Sequence, residues 1–230
     1  DINNAISPVA LYTESLLERE PNLSERARDY LTTIQQAIED VAETVARMRE
    51  FYRPREPQLQ LVQVDINKLV KQVLDLTRAR WSDQPQQEGM MIELVTELAA
   101  DLPPFMGAEA EIRDALINLI FNAVDAMPRG GRLTVRTSKL VPEPAGANGP
   151  PFGSQGQVEV SDTGIGMDEE TRRRCLEPFF TTKGERGTGL GLAMVYGTAQ
   201  RHSAELQIDS EPGRGTTMRL LFPVMMPDFV

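Results

Sequence analysis

One cysteine, one histidine and one tryptophan occur in the 230 residues, and aromatic side chains make up only 6% of the chain. The single thiol, Cys175, has no partner for an internal disulfide, and with His202 as the sole imidazole no Cys/His cluster has metal-ligand spacing. A disulfide-stapled or zinc-stapled scaffold is thereby excluded, and a reducing compartment fits. Long hydrophobic runs are missing too. No stretch approaches the roughly 20 apolar residues of a membrane span, and the first residues lack the pattern of a signal peptide. Basic charge is in deficit: the formal net charge is -10. Binding to nucleic acid or an anionic membrane normally needs a clustered excess of Lys and Arg, so neither is an expected partner, and the expected location is cytoplasmic. Asp1 opens directly into a helical pattern without a start methionine, which reads as a piece of a longer protein.

What is present is 40% hydrophobic residue content, enough to bury a core, with a pattern that changes once along the chain. From Ser24 to Tyr52, Leu31, Ile34, Ile38, Val41, Val45, Met48 and Tyr52 alternate at spacings of three and four, an a/d seam with Ser24 as N-cap. Ile2, Ile6, Val9 and Leu16 mark one face of a shorter helix that breaks near Glu20-Pro21-Asn22. Together these predict an antiparallel helical hairpin over residues 1–56, ended by Pro54 and Pro57. Two helices cannot enclose such a stripe, so a second copy is expected to complete a four-helix bundle, and hence a homodimer.

Residues 57–230 predict mixed helix and strand, giving an α+β chain overall. The expected strands are Leu59 to Leu61, Met90 to Leu98, Arg132 to Thr137, one ending at Asp162, Glu205 to Asp209 and Thr216 to Phe222. The expected helices run from Asp65 to Arg80, from Ala108 to Met127 and from near Gly189. Residues 142–156 are rich in Pro and Gly and read as an exposed connection.

Four segments carry the chemistry. Asn118 and Asn122 stand four apart on one helix face, where amide carbonyls offer oxygen ligands to a hard cation; an ordinary solvated polar face reads the same way. Asp162 opens Asp162-Thr163-Gly164-Ile165-Gly166, a carboxylate at a turn that lets backbone approach a ligand, or else a plain turn cap. Glu177-Pro178-Phe179-Phe180-Thr181-Thr182-Lys183 pairs aromatics with a cation able to reach a phosphate. Gly187-Thr188-Gly189-Leu190-Gly191 leads into a helix whose N-terminal amides suit an anion. Leu192 stands where a dinucleotide fingerprint needs its third glycine, and no phosphate-binding Gly-Lys-Ser/Thr occurs. Cys175 and His202 read as packing residues.

In this order, the four segments resemble the N box, first glycine box, F box and second glycine box of sensor histidine kinases, within the gyrase-like ATPases of the Bergerat fold. The resemblance covers about residues 59–223 and implies an α/β sandwich that binds ATP and Mg²⁺. It implies that Asn122 holds Mg²⁺, that Asn118 and Asp125 lie beside the phosphates, and that Asp162, Gly164 and Gly166 form the adenine pocket with Thr216 in support. Phe180, Thr182, Lys183 and Gly187, Thr188, Gly189, Leu190 and Gly191 are then the movable segment over the phosphates. The stretch Asp1 to Pro8 resembles the one just after the phosphoacceptor histidine, which implies Asp1 as base, Asn4 as the residue that orients water for dephosphorylation, and a histidine just before Asp1 as acceptor. A response-regulator receiver domain is the implied partner. Where the family often shows His-Gly-Gly, this chain has His202-Ser203-Ala204. A water-using ATPase of the same superfamily carries a glutamate at the position of Asn118, and an amide cannot take its proton.

Overall fold

The computed structural model describes residues 2–20, 23–51, 61–83, 85, 89–140, 155–184 and 187–223, with side chains at 2–7, 39–40 and 42–51 outside the description. The chain divides into two compact units, Asp1–Glu56 and Pro57–Val230. The first holds α1 (Ile2–Arg19) and α2 (Glu25–Phe51), which pack on one another as a hairpin. Ser24 caps α2, its Oγ accepting from the Ala27 amide at 3.2 Å. Seven-residue spacing divides the described part of the α2 seam: Leu31 and Ile38 are half-buried, whereas Ile34 and Val41 are 42% and 44% exposed. Val45, Met48 and Tyr52 of that stripe lie outside the described side chains.

In the second unit β1 (Val62–Val64) leads into α3 (Ile66–Leu76), whose N-cap Asp65 accepts from the Lys68 amide at 3.0 Å. The helix stops at Leu76, short of the expected Arg80. Thr77 Oγ1 turns back onto the Val73 carbonyl at 2.8 Å, and a wider turn, Ala79–Asp83, follows. Next come β2 (Ile92–Leu98), β3 (Phe105–Gly107), α4 (Glu109–Asp125), β4 (Gly131–Leu140), β5 (Gln155–Asp162), α5 (Glu169–Arg174), α6 (Gly191–Arg201), β6 (Glu205–Glu211) and β7 (Gly215–Pro223). Of the expected connection at 142–156, Gln155 and Gly156 belong to β5, and residues 142–154 lie outside the description, as do positions 59 and 60 of the first expected strand.

β1 and β3 form a small antiparallel pair, and the main sheet has the order β2-β4-β5-β7-β6, with only β2 and β4 parallel. The apolar stripes of α3, α4 and α6 cover one face of it, joining Leu69, Val73, Ile112, Leu116, Leu119 and Val195 to Leu133, Val135, Val158, Val160, Leu220 and Phe222 in a single core. The other face carries charge. Glu97, Arg136, Glu159 and Arg219 stand opposite one another on successive strands, and each meets the next through an ion pair, with Asp209 beyond Arg219. The central carboxylate, Glu159, is 8% exposed and needs both arginines.

His202 closes the layer of helices. It C-caps α6, its buried Nε2 accepts from the Ala108 amide at 2.9 Å, and Nδ1 lies 2.8 Å from the Thr198 carbonyl, so the neutral ring donates there. It meets Phe222 edge-on, and Phe222 in turn stacks on Phe105 at 4.3 Å. The packing role expected of the lone histidine is the one it has.

Candidate functional site

The six inward residues Ile112, Ala115, Leu116, Leu119, Ile120 and Ala123 fix the rotation of α4 and leave Asn118, Asn122 and Asp125 along a neighbouring stripe. Asn118 Nδ2 donates to the Asp114 carbonyl at 2.9 Å, holding the amide plane. Its Oδ1 faces the start of α6: a Cβ built on Gly191 would stand 3.1 Å from Asn118 Oδ1 and 3.7 Å from Asn122 Nδ2. The backbone at the N-terminus of this 11-residue helix therefore runs against both asparagines. Leu190, the N-cap residue, makes no side-chain capping bond and is fully buried, so its contribution to a ligand is through backbone alone. First-turn amides and the positive end of the helix dipole are left for an anion.

Lys183 reaches the same place from the segment before α6. Its Nζ donates to Asn122 Oδ1 at 2.9 Å and to Asp125 Oδ2 at 2.8 Å. The other carboxylate oxygen of Asp125 accepts from Arg80 Nη2 at 2.8 Å, and the Arg80 guanidinium lies 5.7 Å from the centre of the Phe121 ring. Two cations thus share one carboxylate, and the ammonium also rests on the amide oxygen of Asn122. Arg80 escapes a reading of the sequence because it lies 45 positions from Asp125 and in no motif.

Asp162 ends β5, 7% exposed. One of its oxygens, Oδ1, accepts from the amides of Gly164 at 2.8 Å and Thr216 at 3.3 Å; among the described residues no hydrogen bond engages Oδ2. Burial pushes the carboxyl above its usual range, and those two amides oppose the shift. Two positions of the turn that follows cannot carry side chains: a Cβ on Gly164 would fall 2.3 Å from the Ala126 carbonyl oxygen, and one on Gly166, at φ 66°, 2.0 Å from that of Glu211. Ile165 donates its amide to Ala126 at 2.9 Å, tying the turn to the end of α4. Thr216 is buried beside it, its Oγ1 2.8 Å from Ser210 Oγ, which also accepts from the Met167 amide.

The aromatic and second glycine segments hold one another. Phe179 sits at φ 69° and donates its amide to the Gly189 carbonyl at 3.0 Å. Gly189 sits at φ 66°, where a Cβ would press 2.3 Å from the Phe179 carbonyl carbon. Phe180 lies under the Arg174 guanidinium at 4.4 Å, and Arg174 Nε also donates to Glu177 at 3.2 Å. Gly187 packs against Thr181, Thr188 is half-buried, and Thr182 is exposed. Asp1 and the side chain of Asn4 lie outside the described residues.

α4, the turn after β5, the Phe179–Lys183 stretch and the start of α6 thus adjoin one another. Residues 107–226, just over half the chain, match the family described as histidine kinase-, DNA gyrase B- and HSP90-like ATPase. The chain belongs to that ATPase family. The matched span contains every site residue from Asn118 to Thr216. Among relatives within this ATPase family, the signal transduction histidine-protein kinase AtoS of Escherichia coli is 27% identical over 97% of this chain and 33% of its own length. The sensor kinase CckA of Brucella abortus is 30% identical over 99% of this chain and 24% of its own. The chain thus spans a third or less of these two relatives. Full-length ShkA, solved in complex with AMPPNP, has the same fold, with a TM-score of 0.72 at 24% identity, covering 98% of this chain and 45% of ShkA. No helix among the described residues is long and apolar enough to cross a membrane.

Proposed function

We propose that this chain is the core of a cytoplasmic protein-histidine kinase: it binds Mg-ATP in the second unit and delivers the γ-phosphoryl group to a histidine, for relay to an aspartate of a response-regulator receiver domain. The observation that carries the reading is the meeting of Asn118, Asn122, Lys183 and the α6 N-terminus at one place, with the buried carboxylate of Asp162 in the turn that is tied to the end of α4.

The residues fit the nucleotide and its metal. Asn122 Oδ1 already faces the positive charge of Lys183 Nζ, and a neutral amide oxygen suits a hard cation. Asn122 would hold Mg²⁺ brought with the nucleotide, which would supply positive charge beside the phosphates. Lys183 and the amides from Gly187 to Gly191 hold the phosphates, Asp162 Oδ2 accepts from the exocyclic amine of adenine, and Thr216 keeps Asp162 oriented. Asn118 orients rather than deprotonates, since an amide cannot act as a base. The acceptor imidazole is the nucleophile; by resemblance it directly precedes Asp1, with Asp1 as its base and Asn4 as the residue that orients water in dephosphorylation.

The first unit supports a homodimer, because Ile34 and Val41 leave alternate positions of an apolar stripe exposed in a single copy. A version of the chain that contains the residue ahead of Asp1 tests the whole reading. Incubated with labelled Mg-ATP it should gain an acid-labile phosphate; release of free phosphate without labelling would make the chain an ATPase instead, and binding without either would make it a scaffold.

A further inference from the structure

Asp125 is an anion placed where a polyanionic ligand would bind, on the α4 stripe one helical turn beyond Asn122. A carboxylate there has two adverse effects on nucleotide binding. It repels phosphate, and it holds Lys183, the cation that phosphate needs, at 2.8 Å. Both effects depend on how much of its charge is left uncompensated. Arg80 pairs with the other oxygen, Oδ1, at 2.8 Å, with Asp125 28% exposed, and comes from the turn after α3 rather than from the movable segment. Its guanidinium also lies over the Phe121 ring on α4 itself. When Lys183 leaves for the phosphates, Arg80 stays.

We propose that Arg80 is a positioning residue of the nucleotide site, acting through Asp125: it neutralises the carboxylate so that Lys183 is free to exchange from Asp125 and Asn122 onto phosphate oxygens without leaving a bare anion beside them. The proposal rests on the reading of the second unit as an ATP site. No bond is made or broken in this exchange beyond hydrogen bonds: one ammonium trades two neutral or anionic oxygens of the protein for anionic oxygens of the ligand. Charge balance around Asp125, rather than the shape of the Arg80 side chain, is what the site uses.

The test is calorimetric titration of Mg-ATP into the full 230-residue chain at near-physiological salt, with thermal melting alongside. Arg80→Gln keeps a polar side chain and removes the charge, and is expected to weaken Mg-ATP binding roughly fivefold to tenfold, the scale of one uncompensated charge a few ångström away and partly screened. Arg80→Lys should keep wild-type affinity within about twofold by the same charge count. The double variant Arg80→Gln with Asp125→Asn should recover the affinity lost, since the anion that needed compensation is gone. A merely structural Arg80 would give no such recovery. Wild-type chain that fails to bind Mg-ATP overturns the ATP-site reading itself. Wild-type binding with Arg80→Gln unchanged, or weakened and not restored by Asp125→Asn, overturns the role of Arg80 alone.

Discussion

Replacing Gly189 by alanine separates backbone strain from contact at the site. At φ 66° an alanine pays about 1–2 kcal/mol that glycine does not. The added Cβ would lie 2.3, 2.6 and 2.6 Å from the C, Cα and O atoms of Phe179, which are backbone and cannot rotate away. The two strands of loop must part, and the bond from the Phe179 amide to the Gly189 carbonyl, 3.0 Å, is lost at about 1 kcal/mol. Together about 2–3 kcal/mol stand against the arrangement seen here, and the cost falls on the loops rather than on the core. If nucleotide requires the two segments together, Gly189→Ala should weaken Mg-ATP binding by roughly 30-fold to 150-fold. Gly213→Ala is the control. Its φ is 76°, but nothing lies within 4 Å of an added Cβ, so it should lower stability by the strain alone and leave binding intact. Titration of Mg-ATP and thermal melts of both variants decide the matter. Equal affinity in Gly189→Ala and wild type, with both variants equally destabilised, would refute the view that the aromatic segment and the second glycine segment must stay clamped for nucleotide to bind.

Ser203 holds φ 51° at the end of α6, a position that favours glycine, so Ser203→Gly should raise the melting temperature by about 1–3 °C once the greater freedom of unfolded glycine is subtracted; a drop would mean the hydroxyl matters. Asp162 is held above its ordinary value of 3.8 mainly by burial, against the Gly164 and Thr216 amides, so the folded chain takes up this proton at higher pH than the unfolded chain. The ionised carboxylate therefore costs stability at neutral pH, and that cost fades as pH falls through the folded value toward 3.8. Asp162→Asn should accordingly melt higher than wild type near pH 7, with the gap closing toward pH 4, while discriminating less between ATP and GTP; a gap independent of pH would remove burial as the cause. If the proposed homodimer forms through this stripe, Ile34→Glu with Val41→Glu should leave a monomer, read by light scattering at micromolar concentration, with Mg-ATP binding retained by the second unit; a dimer that survives both charges would place the interface elsewhere.

Periodicity in the sequence determined a good deal by itself. The a/d spacing from Leu31 to Tyr52, the apolar stripe of the helix around Asn118 and the strand ending at Asp162 are local patterns, set by where apolar side chains repeat, and most strand and helix edges lie within a few residues of those expected. The four boxes pointed to the candidate site through their resemblance, in order, to those of one family. Other features were decided only in three dimensions. α3 ends at Leu76 because Thr77 folds its hydroxyl back onto the preceding turn, a choice that periodicity does not see. The parallel pairing of β2 with β4 inside an otherwise antiparallel sheet, and the charge row that pairing completes through Glu97 and Arg136, depend on strand order. Arg80 and Asp125, Lys183 and Asn122, and His202 and Ala108 meet across 45, 61 and 94 positions of chain. Hydrogen bonds and charges act over a few ångström of space and carry no trace along the sequence, so only the tertiary packing could bring these partners together.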